Sequence, residues 1–117
     1  MKRVLNSIFT SVVLALACGA SNAEPDSTKL NLGKQVYDQW CVTCHGVGPR
    51  LPGTASLAVK YGGSIPAALE ERGNLPPELV RYVVRNGVMI MPPFRKTEIT
   101  DPELDALAHY LNQPKGQ

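Results

Sequence analysis

Cys41-Val42-Thr43-Cys44-His45 is the stretch of this chain whose spacing dictates a chemistry. Two thiols three positions apart fall on one side of a helical turn, and a histidine directly after the second is carried beneath whatever the thiols hold. C-x-x-C-H is the attachment sequence of c-type haem: the thiols add across the vinyl groups and the histidine reaches the iron. Two other chemistries use close cysteine pairs. A thioredoxin-like redox pair opens a helix that follows a strand, whereas here a helical pattern runs into the pair and no strand pattern precedes it. A zinc site needs four ligands, and His109 is distant and belongs to no second close-spaced pair. Haem attachment through Cys41 and Cys44, with His45 on the iron, is the reading these residues favour.

Iron held by His45 needs a second axial ligand or an open face, and that choice separates electron transfer from catalysis. His109 belongs to the last turn of a helical pattern, where a histidine is favoured as a surface residue by the helix dipole. Met89 and Met91 lie in a loop far enough beyond His45 for the chain to wrap to the opposite face. Met91 precedes Pro92-Pro93, which stiffen the loop and hold its thioether in place. Met91 is therefore assigned as the sixth ligand, and Met89 as loop filler. A five-coordinate gas-binding or peroxidatic centre would require Met91 not to bind.

The elements that position these groups are helical. Leu32, Val36, Tyr37 and Trp40 recur at helical spacing and deliver the chain into Cys41. Gly46, Gly48, Pro49, Pro52 and Gly53 make the following stretch a loop, with a helical turn expected over 54–60. A second helix is expected from about Ile65 to Arg72, with Ser64 as N-cap and Gly73 after its end. A third is expected over 77–86, with Pro76-Pro77 at its start, Leu79, Tyr82 and Val83 along its packed side, and Asn86-Gly87 as a left-handed C-terminal cap. The last helix has a capping box in Thr100 and Glu103, Pro102 in its first turn, and Leu104, Leu107, Ala108 and Leu111 at i, i+3, i+4, i+7 before Pro114. With no alternating run rich in β-branched residues, the fold class is all-α.

The chain's 117 residues are enough for one domain. At 6% aromatic and with 10 Gly and 10 Pro, that domain is short of core material, which a haem would supply. A formal charge of +2, without a cluster of Lys and Arg, argues against nucleic-acid binding. Met1-Lys2-Arg3, the apolar run to Ala17 and the small residues Ser21-Asn22-Ala23 have the layout of a secretory signal cleaved after Ala23. The apolar run is shorter than the roughly 20 residues a membrane span requires. Cys18 offers a minority reading as a lipidated cysteine. The expected organisation is a signal over 1–23, a mobile leader over 24–29 and a domain over 30–117, located in the periplasm. Removing Lys2 and Arg3 removes the whole basic excess.

On these residues the chain resembles the class I cytochromes c. Gly33 and Tyr37 before the first cysteine, Cys41 to His45, Gly48-Pro49, Arg85-Asn86-Gly87 leading to Met91-Pro92, and Leu107 with Tyr110 carry the resemblance. It implies a small all-α fold of three to five short helices around one covalent haem c. It also implies a crossing of the first and last helices at Gly33, Tyr37, Leu107 and Tyr110, with the Pro49 carbonyl accepting from the axial His45. The motif near the start of the domain is unlike the four-helix-bundle cytochromes, which carry it near their C-terminus. The run from Arg85 to Phe94, with Ile99-Thr100-Asp101 and the last helix, resembles the small cytochrome subunits of flavocytochromes that oxidise 4-alkylphenols, of the p-cresol methylhydroxylase and eugenol hydroxylase type. This resemblance implies a single-electron carrier, not itself an enzyme, that takes electrons from a flavoprotein subunit and passes them to a downstream acceptor. A longer segment between Gly48-Pro49 and Gly73 sets the chain apart from the p-cresol enzyme's cytochrome. The alternative is a free periplasmic carrier between other dehydrogenases and oxidases. Val42, Val47, Val88, Ile90 and Pro92 are expected to form an apolar rim at the haem edge, with Ile90 at the partner contact.

Overall fold

The structure, a computed structural model, describes residues 26–114. The signal reading over 1–23, with Cys18, lies outside the described residues. Five α-helices follow in order: α1 (Asp26–Trp40), α2 (Val42–His45), α3 (Pro52–Tyr61), α4 (Pro77–Asn86) and α5 (Asp101–Leu111), with a 3-10 turn over Leu69–Glu71. Among the described residues there is no strand, only an isolated antiparallel bridge between Val88 and Met91.

The frame is the crossing of α1 and α5. A Cβ on Gly33 would sit 2.6 Å from the Tyr110 Cβ and closer still to the Ala106 carbonyl oxygen, so only a residue without a side chain permits this approach. Tyr37 is fully buried beside it, its ring 6.0 Å from that of Tyr110. Val36, Leu104, Leu107, Ala108 and Leu111 complete this seam, and Val80 and Val84 bring α4 onto it. Arg81 Nε on Asp105 Oδ1 at 2.7 Å ties α4 to α5 at the surface.

The α4 bounds match the sequence expectation, but its packed side does not. Val80 and Val84 are buried, whereas Leu79 and Tyr82 are 48% and 65% exposed. The Val80/Val84 i, i+4 pair meets α5, and the bulkier pair one step round the helix faces out. In α5 the capping box forms as expected: Thr100 N–H donates to Glu103 Oε2 at 2.7 Å and Glu103 N–H to Thr100 Oγ1 at 3.4 Å.

Two segments differ from expectation. The first helix begins at Asp26, so residues 26–29, assigned to the leader, form its first turn; Asp26 Oδ1 lies 2.6 Å from His109 Nε2 at the end of α5. The helix expected from Ile65 to Arg72 is absent except for the 3-10 turn. Ser64 does not cap a new helix but closes α3, its N–H and hydroxyl both donating to the Tyr61 carbonyl. The Pro66 carbonyl, which a helix would give to the amide of residue 70, accepts from Arg72 Nε at 2.7 Å instead. Extended Ala68 is drawn into the interior, 2% exposed.

Candidate haem site

Cys44 and His45 sit on α2, a single turn, and Cys41 is the residue that joins it to the end of α1. The amides of Cys44 and His45 both donate to the Cys41 carbonyl, at 3.1 and 2.8 Å, so the three side chains are fixed to one turn. Cys41 is buried and Cys44 exposed, and no disulfide joins them. Burial pushes the Cys41 thiol up to about 12, because a thiolate loses its hydration there.

Three contacts hold this turn. Tyr37, locked in the α1–α5 seam, donates its hydroxyl to the His45 carbonyl at 2.8 Å. Thr54 Oγ1, buried on α3, donates to the Gly46 carbonyl at 2.7 Å. Gly53 lies against the imidazole: a Cβ there would stand 2.6 Å from His45 Cε1 and 2.7 Å from Nδ1. Pro52 at the start of α3 presents these residues, its missing amide hydrogen harmless in the first turn. Neither Gly53 nor Thr54 is identifiable as a site residue from the sequence, where Gly53 reads as part of a Gly/Pro loop and Thr54 as the start of a helical turn. Their roles depend on nearness to His45 and Gly46 in space.

His45 is held below the ordinary histidine pKa, by burial first and by the positive charge of Arg72 second, which favours the neutral imidazole, the form that binds a metal. Its Nδ1 is buried with no hydrogen-bond partner, so the expected bond to the Pro49 carbonyl is not made. Pro49 lies in the exposed turn that follows.

A two-residue turn gives the two methionines opposite surroundings. Val88 and Met91 exchange both backbone hydrogen bonds, at 3.0 and 2.9 Å, leaving Met89 and Ile90 at the tip. Met89 is 98% exposed, with φ at +52°, whereas Met91 packs against the hydrophobic core. Gly87, at φ +71°, starts the turn, and a Cβ there would meet the Met91 carbonyl oxygen at 2.6 Å. The loop is then pinned: Phe94 N–H donates to the Val84 carbonyl at 2.8 Å, Arg85 Nη1 to the Phe94 carbonyl at 3.1 Å, and the Phe94 ring meets Trp40 edge-on at 5.8 Å. Trp40 is the residue before Cys41, so this contact brings the methionine loop to the haem-attachment turn. His109 is not part of the site; it pairs with Asp26. Of the expected apolar rim, Val47, Val88, Ile90 and Pro92 are exposed, but Val42 packs partly on the core.

A buried thiol and a half-buried imidazole on one turn, a ring nitrogen without a partner, and a glycine cradle too tight for a Cβ fit a haem attached at this turn. The comparisons with known proteins agree. The family model described as cytochrome c oxidase, cbb3-type, subunit III matches residues 28–111. The cytochrome c subunit of 4-cresol dehydrogenase (hydroxylating) from Pseudomonas putida is 34% identical over 115 residues, covering 93% of this chain and 84% of that protein. No solved structure matches the chain. The chain belongs to the cytochrome c family, and is an electron-transfer protein that carries covalent haem c.

Proposed function

We propose that Cys41 and Cys44 hold the haem, that His45 and Met91 are its axial ligands, and that the chain is the periplasmic cytochrome subunit of a flavocytochrome oxidising 4-alkylphenols. Held by the His45 imidazole and the Met91 thioether, a haem iron would keep no coordination position free for a substrate and would supply single-electron exchange. The residues around it do the positioning. Tyr37, Gly53 and Thr54 fix the His45 turn, while Gly87, Arg85 and Phe94 fix Met91. Electrons enter from a flavoprotein subunit and leave to a downstream acceptor.

The observation that carries the subunit reading is the tip of the methionine turn. Met89 and Ile90, 98% and 79% exposed, stand in solvent two residues and one residue from the proposed ligand. Large apolar side chains held out in this way suit a lasting subunit contact better than a charge-steered encounter. The relative named as the cytochrome subunit of 4-cresol dehydrogenase supports the same partner class. Ile90→Lys is the test. It should weaken co-purification with a flavoprotein and slow haem reduction by a phenol substrate, with the haem spectrum unchanged, and reduction by the native partner should be nearly insensitive to salt. Elution of the cytochrome alone at every salt concentration, with Ile90→Lys reduced at the wild-type rate, would place it as a free carrier.

A further inference from the structure

Gly53 is a glycine that its own helix does not call for. It stands at the second position of α3, behind Pro52, in helical backbone that any residue adopts, and it is not among the glycines held at positive φ. In such a place alanine is the better helix former, because glycine loses more backbone freedom on folding. What excludes a side chain here lies outside α3. A Cβ would stand 2.6 Å from Cε1 and 2.7 Å from Nδ1 of His45, with the Cys44 carbonyl oxygen also at 2.7 Å. Non-bonded carbon atoms settle at about 3.5–4.0 Å, so none of these contacts has room for a methyl group. The α carbon of Gly53 is laid against the Cε1–Nδ1 edge of the imidazole.

That ring needs something to set its plane. The outer torsion of a histidine side chain is broad and two-fold, so the residue has little preference of its own. Thioether bonds at Cys41 and Cys44 would fix the turn but not the ring. A metal-binding histidine is usually oriented by a hydrogen bond from its second ring nitrogen, yet His45 Nδ1 is buried and has no hydrogen-bond partner. The wall formed by Gly53 is itself held in place. The Ala55 amide donates to the Leu51 carbonyl at 2.8 Å, closing the first turn of α3, and Thr54 Oγ1 donates to the Gly46 carbonyl at 2.7 Å, tying that turn to the residue after His45. We infer that Gly53 is the positioning residue of the axial histidine: the first turn of α3 sets the imidazole plane by contact, in place of a hydrogen bond to Nδ1. The inference rests on the reading of His45 as an iron ligand.

The orientation of an axial imidazole can be read by proton magnetic resonance, because the paramagnetic shifts of the haem methyl groups in the ferric protein follow the plane of the ligand. A change in stability alone does not reorder them. Gly53→Ala holoprotein should keep its covalent haem on a denaturing gel and show haem methyl shifts with an order or spread different from the wild type. Wild-type methyl shifts in that variant, with the haem attached, would overturn the inference, and Gly53 would then serve only the close approach to the Cys44 carbonyl. Should the variant not accumulate, the wild type carries the test. In the ferrous, diamagnetic protein the α protons of Gly53 should show strong Overhauser contacts with the His45 proton on Cε1, and their absence would overturn the assignment. The strongly shifted imidazole protons of the ferric wild type check the ligand reading separately. If they belong to a residue other than His45, that reading fails and the inference with it; if they belong to His45 while Gly53→Ala leaves the methyl shifts unmoved, the inference alone fails.

Discussion

Met89 and Met91 share a side-chain chemistry and a loop, and their surroundings give them opposite jobs. Met91 packs on the core, while Met89 stands in solvent with a left-handed backbone that an L side chain adopts at a cost of about 1–2 kcal/mol. That cost is not offset by burial. Met89→Gly should therefore raise the denaturant midpoint of the holoprotein, by a fraction of that amount once glycine's larger unfolded entropy is subtracted. It should leave the weak long-wavelength sulfur-to-iron band of the ferric protein in place. Met91→Ala should abolish that band and lower the potential, since the thioether favours the ferrous state. A band that survives Met91→Ala and vanishes with Met89→Gly would reverse the ligand assignment. An unfavourable backbone retained at an apolar, solvent-facing tip is what a contact surface under selection would look like.

Among the elements, α5 is the one whose start is secured by side chains, and its loss can be measured. Thr100→Ala removes both the acceptor for the Glu103 amide and the donor to the Glu103 carboxylate, and should lower stability by about 1 kcal/mol. Two depressed carboxylates flank this cap. Asp101 lies below its ordinary 3.8 because Lys96 and Arg85 donate to it, and Glu103 below its ordinary 4.5 through its bonds from Thr100. A folded pKa below the unfolded one gives stability that is complete above the ordinary carboxylate range and is lost as pH falls through the folded value. The denaturant midpoints of wild type and Asp101→Asn should therefore differ at neutral pH and converge near about pH 2; a constant gap would mean the ion pairs contribute nothing. These signals of α5 are local, which is why the sequence makes it legible: cap, first-turn proline and apolar period all lie between Thr100 and Leu111. The bounds of α4 are legible from Pro77 and Gly87 in the same way. Its buried face is not, because Leu79 and Tyr82 are as apolar as Val80 and Val84 and only the position of α5 decides between them. The start of α1 depends on His109, 83 positions away. Similarly, the loop before Gly73 is shaped by Arg72 reaching back to Pro66 and Tyr61. At the proposed site, the C-x-x-C-H turn stands out in the sequence by its spacing and Met91 by the proline pair that follows it. Gly53 and Thr54 do not stand out, because each acts through a neighbour that only folding supplies.

At the scale of the whole molecule, the protein core is lopsided. The seam of α1, α4 and α5 holds most of the buried apolar side chains, whereas α2 contributes none and α3 only Thr54. What joins the seam to the rest is a short set of contacts: Tyr37 to the His45 carbonyl, Trp40 on Phe94, and Met91 laid on the core. Haem bonded to Cys41 and Cys44 and bound by Met91 would bridge these pieces, adding covalent links on one side and a metal–sulfur bond on the other. The chain without haem should then divide in stability. In the Cys41→Ala/Cys44→Ala double variant, native-state hydrogen exchange should remain slow for the amides of α1 and α5 at their crossing. It should accelerate strongly for α2, α3 and the turn from Gly87 to Phe94, because local opening there is no longer tied to the seam. Gly33→Leu should do the opposite, breaking the α1–α5 approach, where a side chain has no space, and lowering protection everywhere at once. Uniform loss of protection in the double variant, matching that of Gly33→Leu, would mean that the haem organises the seam itself and that the helices have no independent frame.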